Sequence, residues 1–257
     1  MPGGRRQAPT RQRRAVATAS SPPQPSDQGD IYLVRAHAEM GPMYVSPVRI
    51  RSWMPHDVEV IGPEQIPVIQ PSSWHDLPGR LCAFDKLRAV RNPEDALVHG
   101  YRADHVLEPI ARRPSSFVNR FRNFAGVITP DFSVYRNMPR CERIYHTRVA
   151  RGVGAYFQSR GLLIVPNVRW ADRLDFDYCF LGLPVNAVVA ISAHGCSRTS
   201  EDRHHFREGL NALLDVLEPK SVLVHGPMAP DVFGDVTSRA RFIRYPSDIE
   251  AAHRKVT

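Results

Sequence analysis

The sequence has little lysine, few cysteines and no long hydrophobic run, and each shortage excludes a class of protein. The longest apolar stretches, such as 187–191, fall far short of the roughly 20 residues that cross a bilayer, so we expect no membrane span. The four cysteines are dispersed without a pair at zinc-ligand spacing: Cys82, Cys141, Cys179 and Cys196. We therefore predict neither disulfides nor a metal site, and we expect a protein of the reducing cytoplasm.

Positive charge is carried almost entirely by arginine, since only three of the 34 basic residues are lysines. Codon choice in a GC-rich genome produces this skew, so arginine richness alone is weak support for nucleic-acid binding. Of the formal net charge of +8, five charges precede the first acidic residue, Asp27. These five tail arginines are Arg5, Arg6, Arg11, Arg13 and Arg14. They predict either an electrostatic clamp on a phosphate backbone or a solvated extension.

The composition divides the chain into three predicted parts. Residues 1–30 are rich in Arg, Pro, Ser and Gln with almost no large apolar side chains, which predicts a disordered tail. Its only apolar patch, 15–17, is too short for the hydrophobic region of an export signal. Residues 31–78 carry β-like runs at 31–34, 43–50 and 58–61, which indicate an irregular or antiparallel layer. Residues 79–257 form the third part, an α/β domain.

Within 79–257, compact apolar runs alternate with helical patterns, as is typical of βα units around a parallel sheet. The predicted strands are 81–84, 96–101, 125–129, 162–168, 187–193, 221–225 and 242–245. One helix is predicted from apolar residues three or four apart, namely Cys141, Tyr145, Val149, Val153 and Tyr156. A second has the stripe Phe206, Leu210, Leu213, Leu214 and Leu217. The fold class is thus α/β with a mostly parallel sheet, either open or closed into a barrel.

Polar residues follow the predicted strands, where parallel sheets bind their ligands. The candidates are Asp104, Asp131, Asn167, Arg169, Trp170, His194 and His225. Asp131 and His194 are the catalytic candidates, because a carboxylate and an imidazole can transfer protons near neutral pH; the others are candidate ligand contacts. Each also has a structural interpretation: a turn cap for Asp131, loop ties for Asn167 and Arg169, a cover over the core for Trp170, and hydrogen-bonding roles for the histidines.

The loop 195–200 separates a predicted strand from a predicted helix and is a candidate anion site. Its Ser197 and Arg198 could hold an anion together with the helix-terminal amides. It matches neither a P-loop nor the dinucleotide fingerprint. The alternative is an ordinary helix start, in which Thr199 and Asp202 form a capping box.

Several motifs resemble those of the family designated domain of unknown function 4417. They include Pro-Asp-Phe-Ser at 130–133, Gln-x-x-Gly at 158–161 and Pro-x-x-x-Trp at 166–170, within a likeness over about 80–228. The sequence departs from this pattern at His225, where an aromatic residue is expected, and at Gly152, where a bulky one is common. The family is similar to genes of phages, plasmids and integrated elements, and it implies no assigned reaction.

We consider three functions for this chain. The first is a mobile-element accessory protein whose α/β domain binds a phosphate-bearing ligand, either a nucleotide or a nucleic acid, with the arginine tail assisting. The second is a hydrolase-like enzyme with Asp131 as base or nucleophile and His194 as acid. The third is a structural interaction module. The sequence identifies no cofactor, and it predicts no membrane partner.

Overall fold

The structure, a computed structural model, describes residues 53–54, 57–196, 198–248 and 250, together with the backbone of 40–41. The predicted tail 1–30 and the predicted strands at 31–34 and 43–50 therefore lie outside the described residues. Among the helices that are described, none is long and apolar enough to cross a membrane.

Three short strands form an antiparallel N-terminal layer, as the sequence predicts. They are β1 (Met40–Gly41), β2 (Val60–Ile61) and β3 (Ile66–Pro67), in the order β1-β2-β3. A turn joins β2 to β3, and in it the N–H of Gln65 donates to the carbonyl of Gly62 over 3.0 Å. Both residues have positive φ, a conformation that Gly62 adopts at little cost because it has no Cβ.

The next seven strands are all paired in parallel, which confirms the predicted α/β class. Their residues are mostly buried and apolar, as in sheets covered on both faces. The strands are β4 (Arg80–Ala83), β5 (Ala96–His99), β6 (Gly126–Ile128), β7 (Ile164–Val165), β8 (Val188–Ser192), β9 (Ser221–His225) and β10 (Arg241–Tyr245).

The strands pair in chain order, from β4 to β7 and from β8 to β10. A parallel bridge between Asn167 and Ala190 joins the two groups. Two backbone hydrogen bonds make this bridge, from Ala190 N–H to the carbonyl of Pro166 (2.9 Å) and from Val168 N–H to the carbonyl of Ala190 (2.8 Å). The seven strands therefore form one continuous parallel arrangement.

Side chains of six strands meet inside this sheet, which shows that it is curled. The buried cluster contains one residue from each of β5 to β10: Leu97, Ile128, Val165, Ala190, Leu223 and Tyr245. Beyond β10, Asp248 pairs with Lys86 and Arg102, which follow β4 and β5. Among the described residues, no strand ladder joins β4 to β10. The fold is therefore a barrel-like sheet with a seam between its first and last strands.

Four observed strands, β5 to β8, are shorter than predicted, and for β7 and β5 the structure shows the reason. The predicted strand 162–168 is reduced to β7 because Pro166 lacks the N–H that a central ladder needs, and pairing resumes only at Asn167. The predicted strand 96–101 ends at His99, where the imidazole Nδ1 accepts the backbone N–H of Tyr101 over 3.1 Å.

Five α-helices lie among the described residues and pack outside the sheet. They are α1 (Asp104–Arg112), α2 (Ser115–Phe121), α3 (Arg140–Ser159), α4 (Ser200–Leu217) and α5 (Pro230–Phe233). Both predicted helices are present, as α3 and α4, and the whole stripe of α4 is buried. Cys141 was wrongly placed on the buried stripe of α3, because it lies in the first helical turn and is exposed.

The residues before the sheet pack on α3 and explain the departure at Gly152. A Cβ at Gly152 would lie 2.4 Å from Cε of Met54, so the methionine occupies the space that a larger residue would fill. Trp53 beside it donates from its indole N–H to the carbonyl of Ala111 over 2.7 Å. The division at residue 79 remains a prediction.

Candidate functional site

Polar side chains from successive strands meet at the carboxyl edge of the barrel. Asp131 lies just beyond β6, and its Oδ1 accepts a hydrogen bond from Nδ2 of Asn167, just beyond β7, over 2.7 Å. Its Oδ2 accepts from Nη1 of Arg169 over 3.3 Å. The structure thus brings Asp131, Asn167 and Arg169 into one cluster, although 36 and 38 positions separate the two partners from Asp131.

Asn167 is held on every side. Its backbone N–H donates to the hydroxyl of Thr129 over 2.8 Å, and its side-chain oxygen accepts from the hydroxyl of Tyr101 over 3.1 Å. Its carbonyl accepts from Nη1 of Arg151 over 2.8 Å. With its position fixed in this way, its amide orients the Asp131 carboxylate.

Aromatic rings extend the cluster toward β8 and β9. Tyr101 stacks on His225 at the end of β9, with ring centroids 4.1 Å apart and planes 11° from parallel. His99 lies against both rings, at 5.1 Å from Tyr101 and 5.4 Å from His225. Nδ1 of His225 is 3.1 Å from the hydroxyl of Ser192, and the exposed His194 ring lies 6.3 Å away.

Burial sets the protonation of these groups. It raises the pKa of Asp131, while the nearby Arg169 and the hydrogen bond from Asn167 oppose the rise. Burial also lowers the pKa of His225 to about 4, with His194 adding repulsion, so His225 is neutral at pH 7. The Asp131 carboxylate raises the pKa of Arg169 further. The site therefore contains a permanent cation, Arg169, beside the Asp131 carboxylate, which is protonated more readily than an exposed carboxylate is.

One atom of Arg169 has no hydrogen-bond partner. Its Nε is buried, and no acceptor lies within reach among the described residues. The adjoining cavity, lined in part by Asn167 and Arg169, has a volume of about 10 Å³. That volume holds one water molecule at most. A buried donor without an acceptor is uncommon in folded proteins, so this guanidinium has unused binding capacity.

Two other predicted site residues, Asp104 and Trp170, make structural contacts. Asp104 begins α1 and accepts the N–H of Ser133 over 3.0 Å, which fastens the loop that carries Asp131. Trp170 is buried against α4, where its ring stacks on Phe206 at 5.4 Å. Its indole N–H donates to the carbonyl of His205 over 3.2 Å, so its contacts are those of a core residue.

The loop 195–200, the candidate anion site, leads into the helix cap of α4. The hydroxyl of Thr199 accepts the N–H of Asp202 over 3.0 Å, and the Asp202 carboxylate accepts the N–H of Thr199 over 3.2 Å. This capping box, the alternative that the sequence left open, places a carboxylate where the anion would sit. Arg198 is exposed on this loop, and Ser197 lies outside the described residues.

The sequence interpretation missed Tyr101, His99 and Ser192. Each lies at or just beyond the end of a strand, so the rule that selected Asp131 could have selected them as well. A cleft of about 630 Å³ opens at the opposite, amino end of the strands. It is lined by Asp76, Gly79, Arg80, Glu94, Asp95 and Ala125, among others. We place the candidate site at the carboxyl edge, because parallel barrels carry their ligand sites there.

Comparison with known proteins assigns the chain to a family. Residues 58–246 match the model described as Domain of unknown function (DUF4417). The chain belongs to this family. Two relatives of the chain are each named Gene 1 protein. That of Mycobacterium phage D29 is 33% identical over 164 residues, which are 63% of this chain and 60% of the phage protein. That of Mycobacterium phage L5 is 32% identical over 168 residues, or 64% of this chain and 72% of the phage protein.

The chain thus covers less than two thirds of the D29 protein. No solved structure matches it significantly. The match confirms the resemblance to a phage-associated DUF4417 family and leaves its reaction unassigned. The structure gives a physical reason for the departure at His225, since a neutral imidazole stacked on Tyr101 fills the place of an aromatic ring.

Proposed function

We propose that the carboxyl edge of the barrel binds a small phosphate-bearing ligand, with Arg169 as its anion contact. The observation that carries this proposal is the buried Nε of Arg169, which lacks an acceptor. A guanidinium presents several donors in a planar fork that matches phosphate oxygens. Asp131 uses only one of its nitrogens, so a phosphate oxygen can take another without breaking that pair.

The route to Arg169 is from the side of His194. The cavity on the α3 side is too small for a phosphate, whereas His194 is exposed and its loop also carries Cys196, whose thiol lies near Arg169. We infer that a ligand reaches Arg169 past His194. The exposed His194 would then face the bound phosphate.

A titration of the full chain tests this proposal. We expect a nucleoside triphosphate, diphosphate or monophosphate to bind in isothermal titration calorimetry, and Arg169→Lys to weaken binding about tenfold, since lysine keeps the charge and loses the fork. The control is Arg122→Lys, an exposed arginine that ends α2. Equal affinity of wild type and Arg169→Lys for every nucleotide would contradict the proposal.

The hydrolase hypothesis remains the second candidate, because burial raises the pKa of Asp131. A carboxylate with a raised pKa serves as a general base nearer neutral pH. In this role Asp131 activates water and His194 protonates the leaving group. Asp131→Asn should then abolish release of phosphate from a bound nucleotide while His194→Gln slows it. Unchanged phosphate release in Asp131→Asn would reject this mechanism and leave binding alone.

A mobile-element accessory role follows from the phage relatives and forms part of the same proposal. Nucleic acid is the larger alternative ligand, with the five tail arginines assisting. A phosphate-backbone contact predicts affinity that falls steeply with salt concentration, whereas a single Arg169 contact predicts a shallow dependence. Measuring binding of a short DNA duplex across salt concentrations separates the two ligands.

A further inference from the structure

Two histidines and a glutamate converge on the second turn of α4, apart from the cluster at Asp131. His204 and Glu208 are four residues apart on the helix, with Nε2 of the histidine 3.5 Å from Oε2 of the glutamate. Nδ1 of His205 lies 3.4 Å from the same oxygen. Each of the three side chains offers one ligand atom, and these three atoms lie within 4.8 Å of one another.

These spacings match those around a tetrahedral metal ion. Zinc binds imidazole nitrogen and carboxylate oxygen at about 2.0–2.2 Å, and a tetrahedron with such bonds has edges of about 3.4 Å. The two measured nitrogen-to-oxygen distances, 3.4 and 3.5 Å, equal that edge. An ion bound by all three atoms would therefore keep these two distances, and the third pair of atoms lies within 4.8 Å.

The His205 ring and the Glu208 carboxylate are oriented by neighbouring groups that would not touch the ion. Nδ1 of His205 is buried and forms no hydrogen bond within the described part of the chain, while its Nε2 faces Glu201 at 3.8 Å. A carboxylate behind the distal nitrogen is the usual orienting partner of a metal-bound histidine. The second oxygen of Glu208 lies 3.9 Å from Arg173, which leaves Oε2 turned toward the histidines.

The backbone of this turn is rigidly placed. The carbonyl of His205 accepts the indole N–H of Trp170, and a Cβ at Gly209 would lie only 2.0 Å from that indole nitrogen. The helix is therefore pressed onto the tryptophan along this face. A site built on such a helix costs little ordering when the ion binds.

We propose that His204, His205 and Glu208 bind one divalent ion of the zinc class. Imidazole nitrogens favour zinc over magnesium, which prefers oxygen ligands alone. The fourth position is open to water, since the His204 side chain is 66% exposed. Zinc-ligand spacing of cysteines does not predict this site, because its ligands are two histidines and a glutamate at i, i+1 and i+4 of one helix.

The test is a zinc titration of the full, tag-free chain by calorimetry, with cobalt absorption as a second readout. We expect one zinc ion per chain at this site and tetrahedral cobalt bands. His204→Gln and Glu208→Gln should each weaken zinc binding about tenfold or more, as loss of a ligand does. The control is His105→Gln, because His105 is also an exposed helical histidine and has no part in the cluster.

Circular dichroism of each variant separates loss of the ion from loss of the fold, and the exposure of His204 makes misfolding of His204→Gln unexpected. The proposal is overturned if zinc at about 100 μM does not bind, because a dissociation constant weaker than this is too weak for a preformed metal site. It is equally overturned if both cluster variants bind like wild type, if His105→Gln loses as much, or if magnesium competes at equal concentration.

Discussion

Arg151 holds the candidate site from beneath, and replacing it tests the account most directly. Its side chain is 2% exposed, and its guanidinium donates to the carbonyls of Asn167 and Cys179, each over 2.8 Å, and of Leu181 over 3.4 Å. Burial lowers its pKa to about 10, so it remains charged at pH 7. A charged donor set thus ties the strand end after β7 to the segment that follows it.

Arg151→Met keeps most of the aliphatic volume and removes the donors. Three buried carbonyls then lose their partner, at about 1–3 kcal/mol each. Relief from burying a cation offsets part of this cost, so we expect a net loss of about 3–5 kcal/mol in the free energy of unfolding. With a urea m-value of about 2 kcal/mol/M, the midpoint should fall by about 2 M.

Urea denaturation followed by tryptophan fluorescence measures this loss. The control is Arg160→Met, the same change at the exposed end of α3, where the guanidinium packs on the ring of Tyr156 at 5.1 Å. That contact is worth about 1 kcal/mol or less. An Arg151→Met midpoint as high as that of Arg160→Met would refute the reasoning.

Three further predictions concern acid, packing and charge. Because burial lowers the pKa of His225 to about 4 from 6.5, stability present above pH 6.5 should be lost as the pH falls toward 4, by up to about 3 kcal/mol. His225→Phe should flatten this loss in urea midpoints at pH 7 and 5, and an equally steep loss would contradict it. Gly209→Ala should lower the melting temperature by several degrees, because the added Cβ would clash with Trp170. The control is Gly79→Ala, whose added Cβ has no atom within 4 Å and should leave the melting temperature unchanged. Equal melting temperatures of the two variants would show that the helix shifts freely. Replacing the five tail arginines by glutamine should abolish most DNA binding at low salt, and surviving affinity in a gel-shift assay would place that contact elsewhere.

The sheet could be predicted because its strands are buried on both faces and appear as apolar runs. The run at 221–225 matches β9 residue for residue. The curling of the sheet could not be predicted, since it depends on contacts between residues as distant as Leu97 and Tyr245. The alternation of strands and helices is the same for an open sheet and for a barrel.

The meeting of Asp131 and Asn167 follows from a local rule, because both come directly after neighbouring parallel strands. The partners of Asn167 do not follow from it. Arg151 lies in the middle of a helix, where a single arginine in the sequence suggests a solvent-exposed face. No acidic residue beside it in the sequence indicates that it is buried. The contacts of Trp170 with α4 could not be predicted either, because they depend on where that helix lies.

The seam between β4 and β10 has a kinetic consequence. Each strand pairs with its neighbour in the chain, so most of the sheet closes short loops and can assemble progressively from one end. The seam contacts instead span most of the domain: the Tyr245 hydroxyl donates to the carbonyl of Pro78 across 167 positions, and Lys86 pairs with Asp248 across 162. Among the hydrogen bonds of the described residues, these close the longest loops and so cost the most closure entropy. A chain still emerging from a ribosome can therefore form six strands and their helices, while the seam contacts form only after Tyr245 and Asp248 have emerged.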